Sequence, residues 1–180
     1  LAHLYNNGMV RQVDALPDYP LIRVLSHLTG GSPEPSGPPL SDRGQAVVDR
    51  MCEVGMIIDL AHAAPASRRA VLDRVNGRAP VVASHVGLRS MHDHPYNLDG
   101  EEVQAIAETG GAVGIILMPY WLTGKRSGGL DAFTRTARRI RQLTGSWDHV
   151  MLGSDLDGFT RPCPELQHAG QMNRLADQLQ

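Results

Sequence analysis

Four apolar runs separated by helical patterns constrain this chain more than any other feature. They are Val54-Gly-Met-Ile-Ile-Asp-Leu-Ala-His62, Pro80-Val-Val-Ala-Ser-His85, Ala112-Val-Gly-Ile-Ile-Leu-Met118 and His149-Val-Met-Leu-Gly-Ser-Asp155. Runs of this length without polar alternation suit strands buried on both faces, as in a parallel sheet. Parallel neighbours need crossover connections, and the intervening segments read as helices. Ser41 caps a helix running to about Val54, with Val47, Val48, Met51 and Cys52 on one face. Pro65 suits the first turn of a helix ending near Val75. Asp99 and Glu102 have capping-box spacing, flanked by Leu98 and Val103 as a staple, and Gly110-Gly111 ends that helix. A further helix spans Leu130 to Leu143, before Gly145.

This alternation fits either an open doubly wound sheet or a closed (β/α)8 barrel. Three runs close on metal-binding or titratable side chains, His62, His85 and Asp155. Functional groups drawn from the C-terminal ends of several strands mark the barrel. No glycine-rich phosphate turn follows any run, which weakens a dinucleotide-binding alternative. A closed barrel has eight strands and usually ~250 residues. Four whole strands, with the end of a fifth at Leu1–His3, therefore predict a partial barrel, about strands 4 to 8. The 180 residues read as a single domain. The segment from Pro17 to Pro39 is rich in proline and glycine, and is expected to be a surface loop over the mouth of the site.

Composition excludes several classes of function. The net charge of -2 and 4% aromatic content give no electrostatic or stacking basis for nucleic-acid binding. No apolar run approaches the roughly 18 residues of a membrane span. Cys52 and Cys163 are too few for a disulfide framework.

The strand-end histidines carry the chemistry. On neighbouring parallel strands, His62 and His85 would bring two imidazoles to one barrel mouth, and neutral imidazole is a good zinc ligand. Asp155, at the end of the last run, can carry a proton beside a metal. Asp157 reads as a turn residue. Asp59 points away from the face of His62 and is assigned a supporting or salt-bridged role. The His92-Asp-His94 segment precedes Pro95 among polar residues and reads as loop rather than chelating strand. An EF-hand reading of the Asp155 region fails, because Leu166 stands where the bidentate Glu belongs.

Six motifs in order resemble the membrane dipeptidase (renal dipeptidase) family, peptidase family M19 of the amidohydrolase superfamily. They are Leu1-Ala-His-Leu-Tyr-Asn6, Gly55-Met-Ile-Ile-Asp-Leu-Ala-His62, Ala79-Pro-Val-Val-Ala-Ser-His85, Asp93-His-Pro-Tyr-Asn-Leu98, Gly110-Gly-Ala-Val-Gly-Ile115 and Asp148-His-Val-Met-Leu-Gly-Ser-Asp-Leu-Asp-Gly158. The resemblance implies a TIM barrel of the metallo-dependent hydrolase type with two bridged zinc ions, hydrolysing dipeptides by a metal-bound hydroxide. It implies that His62 and His85 bind the second zinc, that His3 contacts substrate and the tetrahedral intermediate, and that Asp155 is the catalytic proton shuttle.

Two departures qualify what the resemblance implies. The family's His-x-Asp on the first strand and its bridging Glu on the third are absent, and are expected upstream of Leu1. The chain thus looks like a fragment, expected to be inactive alone. The family's carboxylate-binding Arg is replaced by Tyr96, which offers one neutral hydrogen bond in place of a bidentate fork; Arg89, from the same loop, is the candidate to compensate. Three readings follow: a zinc metallodipeptidase, a non-catalytic barrel relative binding a small ligand, and another amidohydrolase such as a deaminase or lactonase. The expected partners are a dipeptide or other small molecule and a second copy in a homodimer. A cytoplasmic location is favoured.

Overall fold

The computed structural model describes residues 1–2, 7–13, 37–125, 129–158 and 162–179. His3 and nearly all of the Pro17–Pro39 loop lie outside the described residues. The element order is α1 (Asp42–Glu53), β1 (Ile58–Asp59), α2 (Pro65–Val75), β2 (Val81–Val86), α3 (Gly100–Glu108), β3 (Val113–Ile115), α4 (Pro119–Thr123), α5 (Leu130–Thr144), β4 (Val150–Leu152) and α6 (Asn173–Leu179).

Local chemistry explains where the helices start and stop. The Ser41 hydroxyl accepts from the Gly44 amide at 3.1 Å, satisfying an amide that α1 leaves without a partner. Pro65 opens α2 where no amide is needed, and left-handed Asn76 closes it. At α3 the capping box is complete: Asp99 accepts from the Glu102 amide at 2.8 Å, and Glu102 accepts from the Asp99 amide at 3.0 Å. Leu98 and Val103 are both fully buried beside it. Gly110 follows α3 at φ 76° and Gly145 closes α5 at φ 78°, a region that costs glycine little.

The strands form one parallel sheet in the order β1-β2-β3-β4. Every crossover steps in the same direction. A doubly wound sheet reverses at its switch point, whereas consecutive barrel strands do not. This is therefore an α/β fold, and its sheet is consistent with part of a (β/α)8 barrel. Ile58, Val81, Ala83, Val86, Val113 and Ile115 are buried, packed with Val71 and Val75 of α2, Val103 and Ile106 of α3, and Ile140 of α5 in one core. Ile57 beside β1 and Leu152 at the end of β4 stay 58% and 41% exposed. Four consecutive barrel strands leave two outer strands of this kind.

The strands are shorter than the apolar runs. The nine-residue run ending at His62 yields a two-residue β1, although the Leu60 amide extends the ladder to Val82 O at 2.8 Å. The run reports burial, and burial continues into turns where pairing has stopped. Residues 1–2 form no strand, so the expected fifth strand is not seen among the described residues, although the Leu1 amino group donates to Asp59 O at 3.3 Å. Among the described residues no helix is long and apolar enough to cross a membrane.

The register of β2 on β3 slips once. Ala83 pairs with Val113 and Val86 with Ile115, so three steps on β2 match two on β3. The extra residue falls at Ser84–His85. A bulge of this kind bends a strand and re-aims its side chains. It is held tightly, because a β-carbon on either Gly114 or Gly153 would run into the Ser84 carbonyl oxygen.

Candidate metal site

His85 projects from the bulge in β2. His62 lies three residues past β1, in a turn rather than at a strand end. Its backbone is left-handed, with φ 66°. Non-glycine residues in that region are uncommon and gather where function over-determines the geometry. Asp155 and Asp157 share the conformation, at φ 50° and 69°, in the turn after β4. The Gly158 amide donates to Asp155 O at 3.0 Å, closing that turn.

The two histidines meet. His62 Nε2 and His85 Nε2 are 3.0 Å apart, with ring centroids separated by 5.0 Å in an edge-on arrangement. Two lone pairs cannot face each other at that distance without a proton or a cation between them. Zinc–nitrogen bonds of about 2.0–2.1 Å at tetrahedral angles put two ligating nitrogens about 3.3 Å apart, so the pair fits one ion. Among the described residues no group of three or more histidine, cysteine or acidic side chains is placed to hold a metal. Among the described residues, the two imidazoles are therefore a pair of candidate nitrogen donors.

Behind His85 runs a chain of hydrogen bonds. Ser84 Oγ is 2.7 Å from His85 Nδ1 and donates to Asp59 Oδ2 at 2.6 Å. Asp59 Oδ1 accepts from the Ala61 and Ser84 amides, each at 3.0 Å. Strict alternation would turn the neighbours Ser84 and His85 to opposite faces, and the bulge brings them into contact. That contact was not readable from the sequence, where Ser84 is simply a small polar residue within an apolar run.

Tyr96 is 2% exposed. Its hydroxyl donates to the His85 carbonyl at 2.7 Å, and its ring lies edge-on to His62 with centroids 5.4 Å apart and stacks on Trp121 at 4.4 Å. Burial first, then the carboxylates of Asp155 and Asp59, push its phenol well above the usual range. Asp155 thus lies within electrostatic reach of Tyr96. Arg89 is farther out, paired with Asp93 at 2.7 Å, and that carboxylate raises its already high pKa. His92 and His94 lie in a loop, their rings against Tyr120, with the Tyr96 amide donating to His94 Nδ1 at 3.1 Å.

Two buried groups that sequence reasoning missed hold the loops around this site. Arg68, 1% exposed, makes a two-pronged pair with Glu102 at 2.8 and 2.9 Å. It also donates to Ala63 O at 2.7 Å, Pro95 O at 3.0 Å and Asn97 O at 3.1 Å, clamping the turn of His62 to the loop of Tyr96. Asn97, fully buried, accepts from the Gly87 amide and donates to His92 O and Trp121 O. Nothing in Pro65-Ala-Ser-Arg-Arg69 distinguishes inward Arg68 from Arg69, which is half exposed and bonds Asp99.

Comparisons with known proteins bear on the family and the fold. A profile of the membrane dipeptidase family, peptidase family M19, matches residues 28–180. An Aspergillus oryzae protein named dipeptidase aclJ is 32% identical over 148 residues, covering 81% of this chain and 34% of that protein. An uncharacterized dipeptidase of Schizosaccharomyces pombe is 32% identical over 121 residues, 67% of this chain and 29% of its own length. The chain thus spans about a third of these relatives. A metallo peptidase from Rhodobacter sphaeroides, solved with a phosphinate mimic of the dipeptide L-Ala-D-Ala, superposes with a TM-score of 0.71 at 23% identity, over 79% of this chain and 40% of that one. An amidohydrolase from Pseudomonas aeruginosa superposes with a TM-score of 0.67 at 22% identity, over 81% of this chain and 51% of that one. The chain belongs to the membrane dipeptidase family, peptidase family M19.

Proposed function

We propose that this chain carries part of the active site of a zinc-dependent dipeptidase, with His62 and His85 as ligands of one metal ion. The observation that carries this reading is the 3.0 Å approach of their Nε2 atoms at the C-terminal side of a parallel sheet. His62 and His85 would hold a divalent ion there, and it would supply Lewis acidity toward a scissile amide carbonyl and a water. Asp155 receives and returns the proton at its carboxylate, from the turn after β4 in which its backbone is left-handed. His3 contacts the substrate. The buried Tyr96 hydroxyl steadies the His85 backbone, and its ring walls the site beside His62. Arg89, 37% exposed, supplies the positive charge on this loop for a substrate carboxylate.

The test uses the full-length protein: metal analysis, then hydrolysis of a dipeptide panel by the native protein and by His62→Ala and His85→Ala variants. The expected result is bound zinc, activity lost on chelation and restored by zinc, and a drop of a hundredfold or more in either variant, as a catalytic metal's ligands demand. Activity that survives both chelation and His85→Ala overturns the reading. A deaminase or lactonase on the same scaffold would instead lose activity in both variants while leaving dipeptides intact.

A further inference from the structure

We propose that Asp59 and Ser84 are positioning residues that hold His85 as its Nδ1–H tautomer, so that its Nε2 lone pair faces His62. The consequence for zinc rests on the reading of these histidines as ligands, whereas the tautomer does not. The argument is one of donors and acceptors. The Asp59 carboxylate spends Oδ1 on the Ala61 and Ser84 amides and offers Oδ2 to Ser84 Oγ at 2.6 Å. A carboxylate only accepts, so the Ser84 hydroxyl must donate its one proton to Asp59. Its oxygen is then the acceptor in the 2.7 Å contact with His85, and Nδ1 must carry the proton. A neutral imidazole protonated at Nδ1 is bare at Nε2, the atom turned to His62. The bulge in β2 makes this possible, because it sets Ser84 and His85 side by side.

Asp59→Asn reverses the polarity of the relay. The asparagine oxygen keeps the two backbone amides, so its amide nitrogen takes the Oδ2 position and donates to Ser84 Oγ. The Ser84 proton then turns to His85 Nδ1, and the ring flips to its Nε2–H tautomer. Ser84→Ala removes the relay altogether, and Ser84→Thr restores the hydroxyl.

The experiment uses full-length protein with 15N-labelled histidine, first stripped of metal, with the His85 signals assigned by their loss in His85→Gln. Long-range 1H–15N correlation distinguishes the two neutral tautomers directly. Expected are Nδ1–H in the native protein and in Ser84→Thr, Nε2–H in Asp59→Asn, and loss of the Nδ1–H preference in Ser84→Ala. Zinc affinity, measured by competition with a chromophoric chelator, should fall about 10–100-fold in Asp59→Asn and Ser84→Ala and recover in Ser84→Thr. Native His85 found as Nε2–H overturns the proposal, as does Asp59→Asn left as Nδ1–H. If Asp59→Asn does not fold by circular dichroism, the contrast between Ser84→Ala and Ser84→Thr decides. A native protein that binds no zinc through His62 and His85 sinks the metal reading, and the tautomer spectra still judge the relay.

Discussion

Replacing Arg68 with Met should destabilise the protein, and then removing Glu102 as well should partly restore it. Both side chains are 1% exposed, and their ends are joined by two hydrogen bonds. In Arg68→Met the stem volume is kept, so the cost is electrostatic. Glu102 is left a buried carboxylate that still accepts from the Asp99 amide at 3.0 Å. Breaking a buried pair by removing one partner costs about 3–5 kcal/mol. The carbonyls of Ala63, Pro95 and Asn97 also lose their donor. Each costs about 1–3 kcal/mol if it stays dry, so the lower bound for Arg68→Met is ~3 kcal/mol. At about 2–4 °C per kcal/mol for a domain of this size, Tm drops by roughly 6 °C or more. Arg68→Met/Glu102→Met removes the stranded charge, and apolar replacement of a whole buried pair is often neutral or favourable. The three carbonyls stay unserved, so the double variant should lie between the single variant and the native protein. Urea denaturation followed by tryptophan fluorescence reads this order, since Trp121 stacks on Tyr96 within the clamped region. A single variant within about 1 kcal/mol of native, or a double variant worse than the single, refutes the reasoning.

Asn97→Ala should cost about 2–3 kcal/mol, because a fully buried amide serving Gly87 N, His92 O and Trp121 O leaves groups no apolar side chain can satisfy; a urea midpoint unchanged from native would contradict this. Asp49 tests the pH dependence. Hydrogen bonds from Arg74 and then Arg78 lower its pKa to about 2, from the ordinary 3.8. A carboxyl whose folded pKa is depressed stabilises fully above its unfolded pKa and loses that contribution as pH falls through the folded one. The window is therefore pH 4 to 2, and a Tm-against-pH series should fall less steeply there for Asp49→Asn than for the native protein.

Four helices, α1, α2, α3 and α5, could be read from the sequence to within a residue or two because their ends are written in single side chains. Ser41, Pro65, the Asp99–Glu102 pair and Gly145 each act on amides or carbonyls within one turn. Strands have no such punctuation. An apolar run records that a segment is buried on both sides, and it does not record where the neighbouring backbone stops pairing. That is why a nine-residue run yields a two-residue β1, and why His62 turns out to sit in a turn. The short helix α4 escaped for a related reason. Pro119, Tyr120, Trp121 and Leu122 are all buried, so no polar face reveals a helical period.

The candidate site divides along the same line. His62 and His85 stood out as polar residues closing apolar runs, and a parallel sheet could only bring them to the same end. Their contact and the Ser84 relay depend on one extra residue in β2, which a period-two pattern cannot contain. Without the slip at Ser84–His85, Ser84 would face away from His85, and Asp59 would have no route to the ring. Gly114 and Gly153 are the sequence's trace of that slip, since only residues without a β-carbon leave room for the Ser84 carbonyl. An alanine at either should push β2 back toward regular pairing and uncouple the histidine from its support while leaving both imidazoles in the chain.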